Sequence, residues 1–223
     1  AGGDRSAEIT FKTYDAKGVE YTAVATLNQK GSIIAASVAQ FKAAEVGDNQ
    51  YRLTGVVTKL DAKGNPYIRD YSDMEPVLVY RAEGFTGKVG DIITVVGKRG
   101  EYKGVAQVVN GVVEDTKVVT EVSIADFLTK EENSNVYYMV TGTVDEIKNA
   151  VYGNMYIKGA DGSTLYLYGT HPGWGATGDA AKNFLATIGL AVGDKITVIG
   201  AKTSYNGAVQ IKNAIYFSHT KAQ

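Results

Sequence analysis

Fifteen tyrosines and one tryptophan are spread through 223 residues, and many stand beside lysine or arginine at short, repeated spacings. Tyr67-Ile-Arg69 and Tyr80 recur as Tyr156-Ile-Lys158 and Tyr166-Leu-Tyr168. Arg99, Tyr102 and Lys103 have later counterparts in Lys202 and Tyr205. Rings and cations on alternate positions of a strand leave by the same face. Such a face could stack nucleic-acid bases while its cations pair with phosphates. It could equally stack on the apolar faces of sugars, with Asn and Asp contacting hydroxyls. A third reading needs no ligand, because tyrosine favours strands and cross-strand tyrosine pairs stabilise sheets.

Other chemistry is poorly represented. There is no cysteine, which removes disulfides, thiolate metal sites and a cysteine nucleophile. No nucleophile elbow, phosphate loop, HExxH helix or carboxylate pair on one face is found, so an enzyme is not expected. Glu131-Glu132 and Asp145-Glu146 read as solvated charges. The two histidines, His171 and His219, lie far apart, and only an oxygen set such as Asp70, Asp73 and Glu75 could be imagined around Ca²⁺. Those acids lack a calcium-loop pattern, so neither a metal nor another cofactor is expected. His171 and Trp174 share a glycine-rich loop, HPGWG, in which Trp174 is a candidate ligand contact.

The elements that carry these residues are duplicated. Val89–Asn110, VGDIITVVGKRGEYKGVAQVVN, returns as VGDKITVIGAKTSYNGAVQIKN at Val192–Asn213. Each copy reads as a β-hairpin with alternating apolar positions. Upstream, Ser37-Val-Ala-Gln-Phe and Ser123-Ile-Ala-Asp-Phe each predict a short helix opened by a capping serine. Strands with a central glycine follow, Tyr51–Val57 around Gly55 and Tyr138–Val144 around Gly142. A glycine there predicts the sharp bend by which one strand serves both halves of a small barrel. A second hairpin completes five strands in each repeat, at 37–116 and 117–223. The repeats differ in one connector: Arg81–Lys88 is short, whereas Gly169–Gly178 is a glycine-rich loop. After it, Asp179 is expected to cap a helix turning Phe184, Leu185 and Ile188 inward.

This succession of parts resembles the OB-fold, and the resemblance runs from Ser37 to Tyr216. It implies a mainly β chain of two tandem five-stranded barrels with short capping helices. It also implies ligand faces on the second and third strands, bordered by the loops between strands one and two and strands four and five. If Ile68, Val77 and Val79 point inward, then Tyr67, Arg69 and Tyr80 point outward, bordered by Arg99, Tyr102 and Lys103. In the second repeat the outward set is Tyr156, Lys158, Tyr166 and Tyr168, bordered by Lys202 and Tyr205.

Residues 1–31 read as two alternating strands, and 32–36 as a linker. Arg5–Phe11, RSAEITF, followed by Ala25–Gly31, ATLNQKG, resembles the last two strands of a BACON domain. That immunoglobulin-like module occurs in surface and secreted proteins of Bacteroidetes, often beside glycan-degrading enzymes. The resemblance implies an extracytoplasmic location, at the cell surface or in the periplasm, and neighbouring modules in a longer protein.

Composition limits the partners. With 44% hydrophobic and 21% charged residues the chain reads as an ordinary soluble fold, and it has no apolar run of membrane-spanning length. Basic and acidic residues number four and four in 1–36, ten and eleven in 37–116, and nine and nine in 117–223. Proteins gripping phosphate backbones draw most of their affinity from a positive excess, which is missing here. The expectation is a non-enzymatic binding or adhesion module for a glycan or other surface polymer. A single-stranded nucleic-acid binder and a spacer without a ligand are the alternatives.

Overall fold

A computed structural model describes residues 5–29 and 31–222. The expected N-terminal segment 1–31 therefore lies outside the described residues at positions 1–4 and Lys30, and the second repeat does so at Gln223. The chain opens with a hairpin of β1 (Arg5–Tyr14) and β2 (Glu20–Gln29), paired antiparallel along their whole lengths. Asp15 closes its turn by accepting the Lys17 and Val19 amides. Ala7, Ile9 and Phe11 stand opposite Leu27, Ala25 and Ala23. All twenty strand residues are exposed.

The first barrel begins with β3 (Ile34–Ala35), which pairs in parallel with Tyr51 and Arg52, so 32–36 is not simply a linker. Next come α1 (Val38–Ala43), β4 (Gln50–Leu60), β5 (Pro66–Arg69), β6 (Val77–Val79), β7 (Ile92–Tyr102) and β8 (Val105–Lys117). β4 pairs with β7 through its first half and with β5 through its second. At the changeover stands Gly55, where an added Cβ would lie 2.7 Å from the Arg69 carbonyl oxygen, so no side chain fits. β5 pairs with β6, β6 runs parallel to β8, and β8 pairs with β7 to close the ring. Leu53, Val57, Ile68, Val77, Val79 and Val95 fill it. Phe41 of α1 plugs one end, edge-on to Tyr51 at 5.4 Å.

Helix α1 shows what the acids at 70–75 do. Its first three amides are accepted by Asp70, the Ser72 hydroxyl and the Ser37 hydroxyl. Asp73 meets Lys42 at 2.9 Å. These carboxylates seat a capping helix.

The second barrel repeats the plan with β9 (Val119–Glu121), α2 (Ile124–Thr129), β10 (Tyr137–Asn149), β11 (Asn154–Lys158) and β12 (Thr164–His171). A 3₁₀ turn (Gly178–Ala181), α3 (Phe184–Thr187), β13 (Lys195–Gly200), β14 (Lys202–Tyr205) and β15 (Ala208–Thr220) complete it. Pairings of β10 with β11 and β13, and of β12 in parallel with β15, reproduce the first ring. The molecule is thus two closed five-stranded OB-like barrels. The duplication reaches single dihedrals: Lys103 and Asn206 have φ of 51° and 49°, and Asn110 and Asn213 of 52° and 55°. The expected helix after Asp179 is broken into the 3₁₀ turn and α3, and Asp179 does not cap it. Phe184 and Leu185 are nevertheless buried, with Ile188 packed against the same core. Among the described residues no helix is long and apolar enough to cross a membrane.

The barrels are joined by a packed contact. Val56 and Ile92 of the first barrel meet Val119, Ile199 and Ile215 of the second, with Tyr137, Met139, Trp174 and Phe217 against them. The Arg69 guanidinium donates to the carbonyls of Tyr216 (2.9 Å) and Phe217 (3.0 Å). The Tyr71 amide donates to the Trp174 carbonyl at 3.1 Å. Gly173 lies so close to the first barrel that a Cβ there would sit 2.4 Å from the Asp70 carbonyl carbon.

Two predictions follow from these contacts. Gly173→Ala drives a methyl into backbone, should cost about 1–3 kcal/mol, and should lower the urea midpoint; an unchanged midpoint would show that the loop is not wedged. Asp194 accepts the amides of Ala222 and Ala191 and the Lys221 ammonium, which lowers its pKa from 3.8 to about 2. Because the folded-state pKa lies below the unfolded one, this stabilisation is complete above about pH 4. It is lost as pH falls from there through about 2, so Asp194→Asn should flatten the acid limb of a stability-against-pH curve.

Candidate functional site

The outer face of the second barrel carries a ladder of rings. Met155, Ile157, Leu165 and Leu167 turn into the core, so period-two alternation sends Tyr156, Lys158, Tyr166 and Tyr168 outward. Tyr156 stands directly opposite Tyr166 across β11 and β12. Their ring centroids are 4.8 Å apart, and Tyr166 and Tyr168 are 6.5 Å apart. Burial, reinforced by both neighbouring tyrosines, raises the Tyr166 pKa, so the phenol stays neutral and available to hydrogen-bond. Lys148 lies 5.9 Å from the Tyr156 ring, but its charge is met by Glu146 at 2.7 Å. Lys212 stands opposite Tyr168 on β15.

The first barrel has no such ladder. Opposite Tyr67 stands Leu78, where the second barrel has Tyr166. The Tyr67 ring is instead covered by Lys59 Nζ, 4.4 Å from its centroid, and Tyr80 pairs with Arg81 at 5.2 Å. Tyr102 and Tyr205 lie exposed at the hairpin ends, with Lys103 5.4 Å from the Tyr102 ring.

Four residues expected on or beside the ligand faces have other work. Arg69 leaves the strand on the outward side, but there it meets the second barrel and is 8% exposed. Arg99 is 7% exposed and donates to the Gly100 carbonyl. Its counterpart Lys202 is buried, donating to the Leu128 and Lys130 carbonyls at the end of α2. Its charge therefore offsets the negative end of a helix. Trp174 packs edge-on to Tyr137 at 5.8 Å within the joint between barrels. Alternation told which side of a strand each residue leaves, but not that a second barrel or a helix end covers that side.

At its Tyr168 end the ladder opens into a hollow of about 450 Å³, within the roughly 300–1,000 Å³ range of small-molecule sites. Tyr152 and Asn154 form one wall, from the loop between strands one and two of this barrel. His171, Asp179 and Lys182 form another, from the extra loop, and Asn213 completes it. Asn154 Oδ1 accepts the Gly169 amide at 2.8 Å, which fixes the orientation of its side chain. His171 Nδ1 lies 3.1 Å from the Ala176 carbonyl, which can only accept, so the proton is on Nδ1. Burial lowers the His171 pKa and keeps the ring neutral, leaving Nε2 as an acceptor. Lys182 and Asp179 neutralise each other at 2.6 Å.

Tyr152, Asn154, His171 and Asn213 were not read as site residues from sequence. A signal existed for two of them: Tyr152-Gly-Asn154 ends the loop that borders an OB-fold ligand face. Nothing local marks His171 and Asn213, whose meeting depends on how the inserted loop folds back.

Rings, amides and a neutral imidazole suit recognition by stacking and hydrogen bonding. No group of three or more His, Cys, Asp or Glu placed to hold a metal occurs among the described residues. No protein-family model matches the chain, and no curated protein matches it.

Proposed function

We propose that the chain is a non-enzymatic binding module that holds a glycan or similar surface polymer on the outer face of its second barrel. The observation that carries this reading is the unbroken ladder of Tyr156, Tyr166 and Tyr168, leading into a hollow walled by amides and an imidazole. Flat rings in a row match the repeating apolar faces of a polymer, and neutral amides match its hydroxyls. Phosphate recognition would call for uncompensated cations, yet Lys148 is paired with Glu146 and Lys182 with Asp179. Lys158 and Lys212 remain without an ion pair among the described residues, too few for a nucleic-acid groove. An extracytoplasmic setting, and other modules in a longer protein, rest on the BACON-like strands.

The test is binding to a polymer found by glycan-array screening. Tyr166→Ala combined with Tyr168→Ala should weaken it roughly ten- to hundredfold, whereas Tyr67→Ala should leave it unchanged. Equal loss from Tyr67→Ala, or none from the double variant, would remove the assignment. Raising salt should change affinity little; a steep linear fall of log K with log salt would point to phosphates.

A further inference from the structure

The hollow beside Tyr168 has a neighbour. A second one, of about 520 Å³, lies on the other side of His171, Ala176 and Asn213, which line both. Trp174 and Tyr137 supply its rings, and Ser134 and Thr203 supply hydroxyls. We propose that the two hollows are adjacent subsites for consecutive residues of a neutral oligosaccharide, with His171 and Asn213 forming the ridge crossed by the linkage between them.

Four observations carry this. Each hollow offers aromatic rings beside polar side chains, the pairing that a sugar needs for its apolar face and its hydroxyl edge. The ridge groups can take a ligand: His171 uses only Nδ1, and the Asn213 side chain is exposed, with no hydrogen-bond partner among the described residues. A ligand hydroxyl donating to His171 Nε2, or bridging to the Asn213 amide, would satisfy both. The walls carry little charge: His171 is held neutral by burial, Lys182 is paired with Asp179, and the one cation without an ion pair among the described lining residues, Lys212 of the second hollow, is exposed to solvent, so no buried charge asks for an ionic ligand. Finally, the loop between the hollows is already rigid. Gly173 is pressed on Asp70, Trp174 accepts from Tyr71, and Ala176 accepts from His171, so little ordering is left to oppose binding.

This inference rests on the glycan reading above but adds residues outside the ladder. The experiment is calorimetric titration of the intact chain with cello-, xylo-, malto- and laminari-oligosaccharides, from disaccharide to hexasaccharide. Two variants separate the subsites from the ladder. Asn213→Gly deletes the amide while tolerating the left-handed backbone of φ 55°. Tyr152→Ala removes a ring that is 49% exposed and no part of the core.

Affinity in one series should rise with length and then level off. Each variant should lower affinity for the longest member about tenfold while leaving the melting temperature unchanged. Tyr166→Ala should weaken every member. If both variants bind the longest member like the parent while Tyr166→Ala weakens it, the subsites are wrong and the ladder stands. If no member of any series binds, both readings fall.

Discussion

The geometry of the molecule depends on one buried cation. Arg69 ends the second strand of the first barrel and places its guanidinium on the carbonyls of Tyr216 and Phe217, 5.5 Å from the Tyr216 ring. Its Nε is buried with no partner among the described residues. A charge so held, against carbonyl dipoles and without a carboxylate, gives little net stability, but a docked arrangement that buried it away from those two carbonyls would leave it worse satisfied. The contact thus acts on specificity more than on energy. The energy comes from the apolar patch around it, where Val56 and Ile92 meet Val119, Ile199 and Ile215. With that seating set, Gly173 and Trp174 have one place to go, and the loop carrying His171 becomes a wall.

Within the joined pair, the two repeats share their construction and differ on their outer faces. Gly55 and Gly142 both face the second strand of their barrel, where an added Cβ would lie 2.7 Å from the Arg69 carbonyl oxygen in one and 3.1 Å from that of Lys158 in the other, with the Ile124 side chain nearer still to Gly142. Thr54 with Thr94, and Thr141 with Thr197, share the same 2.8 Å hydroxyl contact between the first and fourth strands. The ligand faces diverge at few positions. Leu78 against Tyr166 decides whether a ring ladder exists at all. The inserted loop decides whether it leads anywhere: the offset between copies grows from 86 residues at Ser37 and Ser123 to 103 at Gly90 and Gly193. One barrel keeps the fold and lends a surface to lean on, while the other carries the ring ladder and the hollow at its end.

The barrels were legible because closed sheets demand things that residues declare locally: alternation, glycine where strands change partner, a capping serine before each helix. The ladder was legible for the same reason, since alternation assigns Tyr156, Tyr166 and Tyr168 to one face. Arg69 was misread because its role depends on the docking of a second body, which no local pattern encodes, and the same docking sets Trp174 against Tyr137. Arg99 and Lys202 were misread because a long cationic side chain at a hairpin can turn back to buried carbonyls as readily as outward. His171 and Asn213 lie 42 residues apart and meet only after β12 and β15 pair in parallel. Such an encounter is a property of topology, and strand-by-strand reading does not reach it.

The central claim is that one tyrosine-lined face, on the second barrel alone, takes the ligand. Its most direct test is an NMR spectrum of the intact chain with isotopically labelled tyrosine rings, recorded while a binding glycan is added. The account predicts shifts confined to Tyr152, Tyr156, Tyr166 and Tyr168, with Tyr67, Tyr80 and Tyr102 unmoved. Shifts centred on the first barrel, or spread equally over both, would contradict it.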